Sequence, residues 1–179
     1  MTLKLTEIAR KKLENYFDEK DFILDEETKK EYSAKKACFV TLTKDDELRG
    51  CVGSLVAHQA LWKDVLDNIM NAAFSDNRFK PLEKKELNKI KIEISVLSEP
   101  ERISYKDSDD LLKQINNKKG IILKKGFLSA TFLPQVWEQI PFKKKFLEQL
   151  SLKAGLDKDS WKEKGVEILY YSVDVEKED

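Results

Sequence analysis

The chain has 179 residues, of which 41% are hydrophobic and 37% are charged. This balance is typical of a globular protein with a charged exterior, and the length allows one domain or two small lobes. Lysine plus arginine equals aspartate plus glutamate at 33 each, so the net charge is zero. A neutral chain has no global attraction for nucleic acid or an anionic membrane, and we expect neither as a partner.

The lengths of the apolar runs and the spacing of the cysteines predict the cellular location and whether a metal is bound. No apolar run approaches the roughly 18 residues that a membrane span requires, and residues 1–10 lack a signal-peptide core. We therefore expect a cytoplasmic protein, in which Cys38 and Cys51 are free thiols. No Cys-x-x-Cys pattern occurs, so we expect no metal and no cofactor. Convergence of both cysteines with the single histidine, His58, on a metal remains the alternative.

The first part of the chain predicts one helix and a hairpin. Apolar residues at helical spacing predict an amphipathic helix from Thr6 to Lys20, with Thr6 as its N-cap. Residues 21–36 are polar and predict a loop with a short helix. The β-branched and aromatic run Ala37–Thr43 predicts a buried strand, and Leu48–Leu55 predicts the strand that returns beside it.

The middle of the chain adds helices to further strands. Leu61–Phe74 has apolar residues at steps of four and predicts a second amphipathic helix. Ile90–Val96 alternates apolar and polar residues, which indicates a half-buried strand of an antiparallel sheet. Asp109–Ile115 predicts a short helix. Ile121–Lys125 and Phe127–Phe132 predict a hairpin.

The C-terminal part completes the fold class. Lys143–Lys153 predicts a helix that Gly155 closes, and Val166–Val175 predicts one terminal strand. Strands and helices are mixed without a β-α-β rhythm. The class is therefore α+β, with antiparallel sheets and flanking helices.

The segment Leu48–Gly53 is the strongest candidate for chemistry. It places Cys51 between Gly50 and Gly53, close after Arg49. Glycine lets another group approach the backbone, and a neighbouring guanidinium lowers the pKa of a thiol. Strand alternation puts Arg49, Cys51 and Gly53 on one face. Cys51 is thus a candidate nucleophile or redox thiol, and the alternative is a small buried hydrophobe.

Arg49 and a later loop are candidates for ligand binding. The planar guanidinium of Arg49 suits a carboxylate or phosphate, although a salt bridge to nearby acids such as Glu47 is equally compatible. Asp76 and Arg78 lie in a loop after a helix, where functional residues often occur. The alternative for them is a local ion pair.

Two further groups have competing interpretations. Gln135 and Trp137 combine a polar group with a large aromatic ring, which suits the wall of a ligand site. A place for Trp137 in the core is the alternative. The lysines at 118–119, 124–125 and 143–145 form basic clusters that suit RNA, although such runs are more often solvated faces.

A series of motifs in a fixed order resembles the AMMECR family between residues 37 and 161. The hexapeptide Leu48–Gly53 resembles the family's Leu-Arg-Gly-Cys-Ile-Gly, with Val52 in place of the isoleucine. The other matching segments are Phe39–Leu42, Asn71–Phe79, Ile92–Leu97, Ala130–Glu138, Phe146–Leu147 and Lys153–Leu156.

The resemblance implies one AMMECR-type domain, residues 1–179, with two unequal lobes and a cleft between them. The larger lobe would comprise 1–97 and 165–179, and the smaller 100–163. The resemblance also implies Memo-type and radical S-adenosylmethionine partners, as in the AmmeMemoRadiSam system. We expect ligand handling or catalysis at a cleft lined by Leu48–Gly53, and whether the protein is an enzyme stays open. A non-enzymatic adaptor and an RNA-binding protein are the alternatives.

Overall fold

The computed structural model describes residues 2–179, which form two compact units. One unit comprises residues 2–97 with 174–179, and the other comprises residues 98–173. Each unit combines a four-stranded antiparallel sheet with helices, so the predicted α+β class is confirmed. Within residues 2–179, no helix is long and apolar enough to cross a bilayer.

The elements follow one another without a β-α-β rhythm. In chain order they are α1 (Leu5–Phe17), α2 (Glu26–Glu31), β1 (Cys38–Lys44), β2 (Glu47–Gly53), α3 (Leu61–Phe74), β3 (Ile90–Leu97), β4 (Glu101–Arg102), α4 (Ser108–Gln114), β5 (Gly120–Lys125), β6 (Leu128–Phe132), α5 (Val136–Gln139), α6 (Lys143–Lys153), β7 (Glu167–Tyr171) and β8 (Val173–Lys177). The strand order is β2-β1-β3-β8 in the first unit and β4-β7-β5-β6 in the second.

The β1–β2 hairpin positions the hexapeptide at the edge of the first sheet. Its turn uses Asp45 and Asp46 at positive φ, 53° and 63°, a conformation that suits a two-residue hairpin loop. The pairing register then shifts, because Gly50 and Leu48 lie opposite consecutive residues of β1. Arg49 is the extra residue of this irregularity, which disturbs the regular alternation of side chains.

One face of the first sheet packs against helices. Val40 and Leu42 of β1 and Ile94 of β3 are fully buried, as are Val65 and Ile69 of α3, and all belong to one apolar cluster. The apolar steps predicted for α3 are present, and the alternation predicted for β3 holds from Ile90 to Ile94, whereas Ser95, predicted on the polar face, is buried. The opposite face of β1 contains partly buried residues, and the thiol of the hexapeptide lies on that side.

A buried carboxylate ties α3 to the hairpin. Asp64 is 1% exposed, and it accepts hydrogen bonds from the backbone amide of Cys38 (2.9 Å), the hydroxyl of Ser54 (2.9 Å) and the amide groups of Gln59 (3.2 Å) and Asn68 (3.1 Å). A buried charge needs such donors to offset its lost hydration. Asp64 therefore fixes the start of β1 and the end of β2.

The second unit has a core of its own. Ile121 and Leu123 of β5 and Ile168 of β7 are fully buried, and they cluster with Phe146 and Leu147 of α6. Gly155 has φ +80° one residue beyond Ala154, the C-cap of α6, which confirms the predicted helix end. Gly126 has φ +59° in the two-residue turn between β5 and β6, so the predicted second hairpin is confirmed.

The two chain ends differ from the prediction. Residues 166–175 are not one strand: β7 pairs with β5 in the second sheet, whereas β8 belongs to the first. Residues 165–173, predicted within the larger lobe, consequently belong to the second unit. The N-cap of α1 is Lys4 rather than Thr6, whose amide and hydroxyl instead donate to Glu176 at 2.7 and 2.8 Å.

Candidate functional site

Cys51 lies in β2, at the edge of the first sheet. Its partly buried sulfur is 3.2 Å from the hydroxyl of Thr41, the residue directly opposite on β1. The backbone amide of Cys51 donates to Oδ2 of Asp76 at 2.9 Å, and its carbonyl accepts from Nη2 of Arg78 at 3.4 Å. The loop that follows α3 therefore holds the strand edge at the thiol.

Asp76 and Arg78 form the charged part of this site. Nε of Arg78 donates to Oδ1 of Asp76 at 3.0 Å, and Nη2 donates to Oδ2 at 2.7 Å. The Asp76 side chain is 7% exposed, whereas 57% of the Arg78 side chain is exposed. The guanidinium also lies 5.4 Å from the ring centroid of Phe79, within cation–π range. Arg78 is thus oriented by its neighbours and still accessible from solvent.

The protonation states follow from these contacts. The hydrogen bonds from Arg78 hold the pKa of Asp76 well below its ordinary value, and the Cys51 amide adds to the effect. The same pairing raises the pKa of Arg78. Burial raises the pKa of the Cys51 thiol, which the Thr41 hydroxyl and the Arg78 charge offset only in part. Cys51 is therefore mostly protonated at neutral pH.

Arg49 belongs to a different cluster. Its Nε and Nη2 donate to the two carboxylate oxygens of Glu86 at 3.1 and 2.9 Å, and Lys44 donates to the same carboxylate at 2.9 Å. The Arg49 and Glu86 side chains are 13% and 10% exposed. The hydrogen bonds from Arg49 lower the pKa of Glu86 to about 2. The bidentate pair leaves Nη1 of Arg49 buried without a hydrogen-bond partner.

The prediction that Arg49 lowers the pKa of the Cys51 thiol is wrong. The pKa of Cys51 is raised rather than lowered, and the cation that favours its thiolate is Arg78. The physical reason is the register shift at Arg49, together with the bidentate pairing of its guanidinium to Glu86. The acid that pairs with Arg49 is also not among its sequence neighbours, since Glu86 lies 37 residues away.

Packing accounts for both glycines of the hexapeptide. A Cβ on Gly50 would lie 2.3 Å from the backbone oxygen of Ala72 in α3. A Cβ on Gly53 would lie 2.3 Å from the Phe39 ring and 2.6 Å from the backbone oxygen of Cys38. Their predicted role in ligand binding stays a prediction, but the close approach of other groups to these positions is observed.

Gln135 and Trp137 lie in the second unit. Trp137 is 5% exposed, stacks on Phe146 with ring centroids 3.6 Å apart, and donates from Nε1 to the carbonyl of Lys119 at 2.8 Å. These contacts favour the interpretation of Trp137 as a core residue. Gln135 is partly buried and directly precedes α5. Binding of a ligand by either residue stays a prediction.

The remaining candidates are separate from the thiol. His58 is exposed, and its ring contacts the carbonyl of its own neighbour Val56 at 3.1 Å. Cys38 is fully buried, as predicted, and burial raises its pKa above the ordinary value. In the part of the chain that the structure describes, no three or more His, Cys, Asp or Glu side chains are grouped to hold a metal. In the predicted basic cluster at 143–145, the ammonium group of Lys143 donates to the Leu112 carbonyl at 2.8 Å.

Three residues of these sites were not predicted from the sequence. Thr41 contacts the thiol, Glu86 neutralises Arg49, and Asp64 anchors the hairpin. The signal for Thr41 was its place in a strand predicted to pair with the hexapeptide. Glu86 and Asp64 gave no such signal, because they contact the hairpin only through tertiary structure.

Comparison with known proteins places this fold and its motifs in one family. A family model described as AMMECR1 matches residues 6–175. The chain is 35% identical to protein NEQ441 of Nanoarchaeum equitans over 184 aligned residues, covering 99% of this chain and 100% of the relative. It is 36% identical to a protein of Aquifex aeolicus, covering 98% of this chain and 91% of the relative.

A solved structure agrees with the sequence comparisons. The crystal structure of the uncharacterized protein PH0010 from Pyrococcus horikoshii is similar with a TM-score of 0.89 and 28% identity. The similarity covers 98% of this chain and 90% of that protein. The chain therefore belongs to the AMMECR1 family.

Proposed function

We propose that this protein binds an anionic ligand at the edge of β2, with Arg78 as the cation and Cys51 as the reactive thiol. The observation that carries the proposal is the exposure of the Arg78 side chain, which is more than half exposed although Asp76 and Phe79 fix its orientation. Arg49, the other predicted anion binder, is likewise paired with a carboxylate, but its side chain is only 13% exposed. A pre-oriented, accessible guanidinium suits a carboxylate or phosphate.

The chemistry proposed for Cys51 depends on the bound ligand. The raised pKa keeps the free thiol protonated, so it is weakly nucleophilic before a ligand arrives. Ligand binding over the edge of β2 holds the anionic group against Arg78 and places the rest of the ligand beside the sulfur, and the Arg78 charge favours loss of the thiol proton to solvent. Thr41 orients the thiol through its hydroxyl.

The proposed setting is the cytoplasm, together with Memo-type and radical S-adenosylmethionine proteins. The support for these partners is the resemblance of the hexapeptide and its companion motifs to the AmmeMemoRadiSam system. Both cysteines are free thiols, which suits a reducing compartment.

A non-enzymatic adaptor is the second candidate, and the raised pKa of Cys51 favours it. A thiol that burial keeps protonated can simply contact a partner. In this alternative the Asp76–Arg78 pair would recognise an acidic segment of the partner, without covalent chemistry at the sulfur.

The experiment compares the alkylation of Cys51 by iodoacetate, which is anionic, and by iodoacetamide, which is neutral. The ratio of the two rates cancels the thiolate fraction and reports only how well the site attracts a negative charge. We expect Arg78→Gln to lower this ratio by roughly fivefold at low salt, which corresponds to about 1 kcal/mol of Coulomb attraction. Added salt should lower the wild-type ratio in the same direction.

Arg49→Gln is the matched control, since it also removes a guanidinium that is paired with a carboxylate, but one that is largely buried rather than exposed. Its ratio should stay at the wild-type value. If Arg78→Gln leaves the ratio unchanged, or if Arg49→Gln lowers it equally, the assignment of Arg78 as the anion-binding cation is wrong.

A further inference from the structure

The second unit contains a pocket that is lined by none of the residues predicted for the thiol or for ligand binding. Its volume is about 540 Å³, within the range of small-molecule sites. The residues that line it come from the strands of the sheet and from the end of α4; they are Arg102, Ile103, Ser104, Gln114, Asn116, Lys119, Ile121 and Tyr170.

The floor of this pocket is apolar and includes an aromatic side chain. Ile121 is fully buried and Ile103 is 8% exposed. Tyr170 lies opposite Ile121 in the β5–β7 pairing, so the two side chains share a face of the sheet. The Tyr170 hydroxyl donates to Glu101, which fixes the ring. A fixed aromatic ring beside aliphatic side chains suits a planar apolar group.

One lysine at the rim of the pocket supplies a positive charge beside the aromatic ring. Lys119 is half-buried, donates to the hydroxyl of Ser172, and lies 5.9 Å from the Tyr170 ring centroid. Its ammonium group has further N–H donors for an anion. Arg102 also lines the pocket, but it pairs opposite Leu169, so its side chain lies on the other face of the sheet from Tyr170, 3.6 Å from Glu167. Among the described residues that line the pocket, none is acidic.

Two side-chain amides complete the rim. Gln114 uses Nε2 to donate to the carbonyl of Ser104 at 2.9 Å and to Asp110 at 3.1 Å. Asn116 uses Oδ1 to accept from the amide of Lys118 at 2.8 Å. These contacts orient both groups and use one end of each amide. The other ends, the Gln114 oxygen and the Asn116 nitrogen, supply one acceptor and one donor.

We propose that this pocket binds a small planar heterocycle that carries a phosphate, of the nucleoside monophosphate class. The ring packs on Tyr170 and Ile103, the phosphate binds Lys119, and the amides of Gln114 and Asn116 bind the heterocycle edge. The site is independent of the thiol, because all its residues belong to the second unit.

The test is a calorimetric titration with three probes: adenosine 5′-monophosphate, adenosine and inorganic phosphate. We expect the nucleotide to bind with a dissociation constant below about 1 mM, and each fragment to bind at least about tenfold more weakly. Lys119→Gln should weaken nucleotide binding by about tenfold, because it removes the cation that binds the phosphate. The variant should still fold, since the backbone carbonyl of residue 119 that accepts from Trp137 is retained. Arg102→Gln should change nucleotide binding much less than Lys119→Gln, because the Arg102 side chain lies on the other face of the sheet beside Glu167.

Lys113→Gln is the control, because Lys113 is an exposed lysine of α4 that does not line the pocket. It should bind the nucleotide as the wild type does. The proposal is wrong if the nucleotide shows no saturable binding below about 5 mM, a free energy near −3 kcal/mol. It is equally wrong if adenosine binds as tightly as the nucleotide, or if Lys119→Gln and Lys113→Gln behave alike.

Discussion

The carboxylate of Asp76 accepts a hydrogen bond from the backbone amide of Cys51 at 2.9 Å, and Arg78, which is paired with that carboxylate, donates to the Cys51 carbonyl at 3.4 Å. The two side chains thus supply one acceptor and one donor to the edge of β2, as a neighbouring strand would. An unpaired strand edge is open to association with other chains. The Asp76–Arg78 pair covers this edge at the thiol and fixes the backbone that carries it.

Replacement of Asp76 should therefore loosen the strand edge. We expect Asp76→Ala to destabilise the protein by about 1–3 kcal/mol at pH 7, because it removes a charged acceptor from a backbone amide. The specific readout is hydrogen exchange at the Cys51 amide, which should be protected in the wild type and lose protection in the variant. Asp67→Ala, at an exposed position of α3, should change neither quantity. Retained protection in Asp76→Ala would contradict the proposed strand capping.

The Arg49–Glu86 pair should make stability depend on pH in the acid range. The pKa of Glu86 is about 2, below its ordinary value of 4.5. A lowered folded-state pKa gives stability that is present above the unfolded-state pKa and is lost as pH falls through the folded-state value. We expect this group to contribute on the order of 2–3 kcal/mol at pH 7, lost between about pH 4.5 and 2.

Urea denaturation at pH 7 and at pH 2.5 measures this contribution. Glu86→Gln should be less stable than the wild type at pH 7, also because Arg49 then stays buried without its counter-charge. The difference should shrink at pH 2.5. Glu47→Gln removes an exposed carboxylate from β2 and should show neither effect. A pH-independent loss in Glu86→Gln would mean that the shifted titration does not stabilise the fold.

Gly50 should not tolerate a side chain. The Cβ of an alanine there would lie 2.3 Å from the backbone oxygen of Ala72, and a backbone atom cannot rotate away. We expect Gly50→Ala to cost at least about 2 kcal/mol. Gly126→Ala meets no atom within 4 Å but has φ +59°, so it should cost only about 1 kcal/mol. Equal stability of Gly50→Ala and the wild type would show that α3 can move away from β2.

The sequence could predict those elements whose pattern is local. The apolar steps of α3 lie within one element and are observed, and the alternation of β3 is observed from Ile90 to Ile94. The division of residues 166–175 into β7 and β8 had no such signal, because the alternation is compatible with one strand. Which sheet a strand joins depends on its partners, β5 for β7 and β3 for β8, and these are distant in sequence.

The candidate site was predictable to a similar degree. Asp76 and Arg78 were identified with Cys51 through the motifs of one family, and the structure brings them together. The pairing of Arg49 with Glu86 could not be predicted, since the register shift in β2 and the loop before β3 decide it together. The direction of the Cys51 pKa shift was missed for the same reason, because burial is set by the fold rather than by neighbours in sequence.

The two cysteines should differ in their alkylation by neutral iodoacetamide as pH rises. Burial raises the pKa of Cys51 above the ordinary value of 9.0, so its native-state rate should be low at pH 7 and should still be rising above pH 9. Arg78→Gln removes a charge that favours the thiolate, so it should raise this pKa further and move the rate profile to higher pH. Arg49→Gln should leave the profile in place.

Cys38 provides the internal reference, because it is 0% exposed and burial raises its pKa as well. It should react only when the protein unfolds, at a rate that follows the urea concentration. Mass spectrometry of the two cysteine-containing peptides separates the sites. Rapid alkylation of native Cys51 at pH 7 would show that its thiolate is favoured after all. Unreactive Cys51 throughout the native pH range would exclude a reactive thiol and leave the adaptor as the better account of the site.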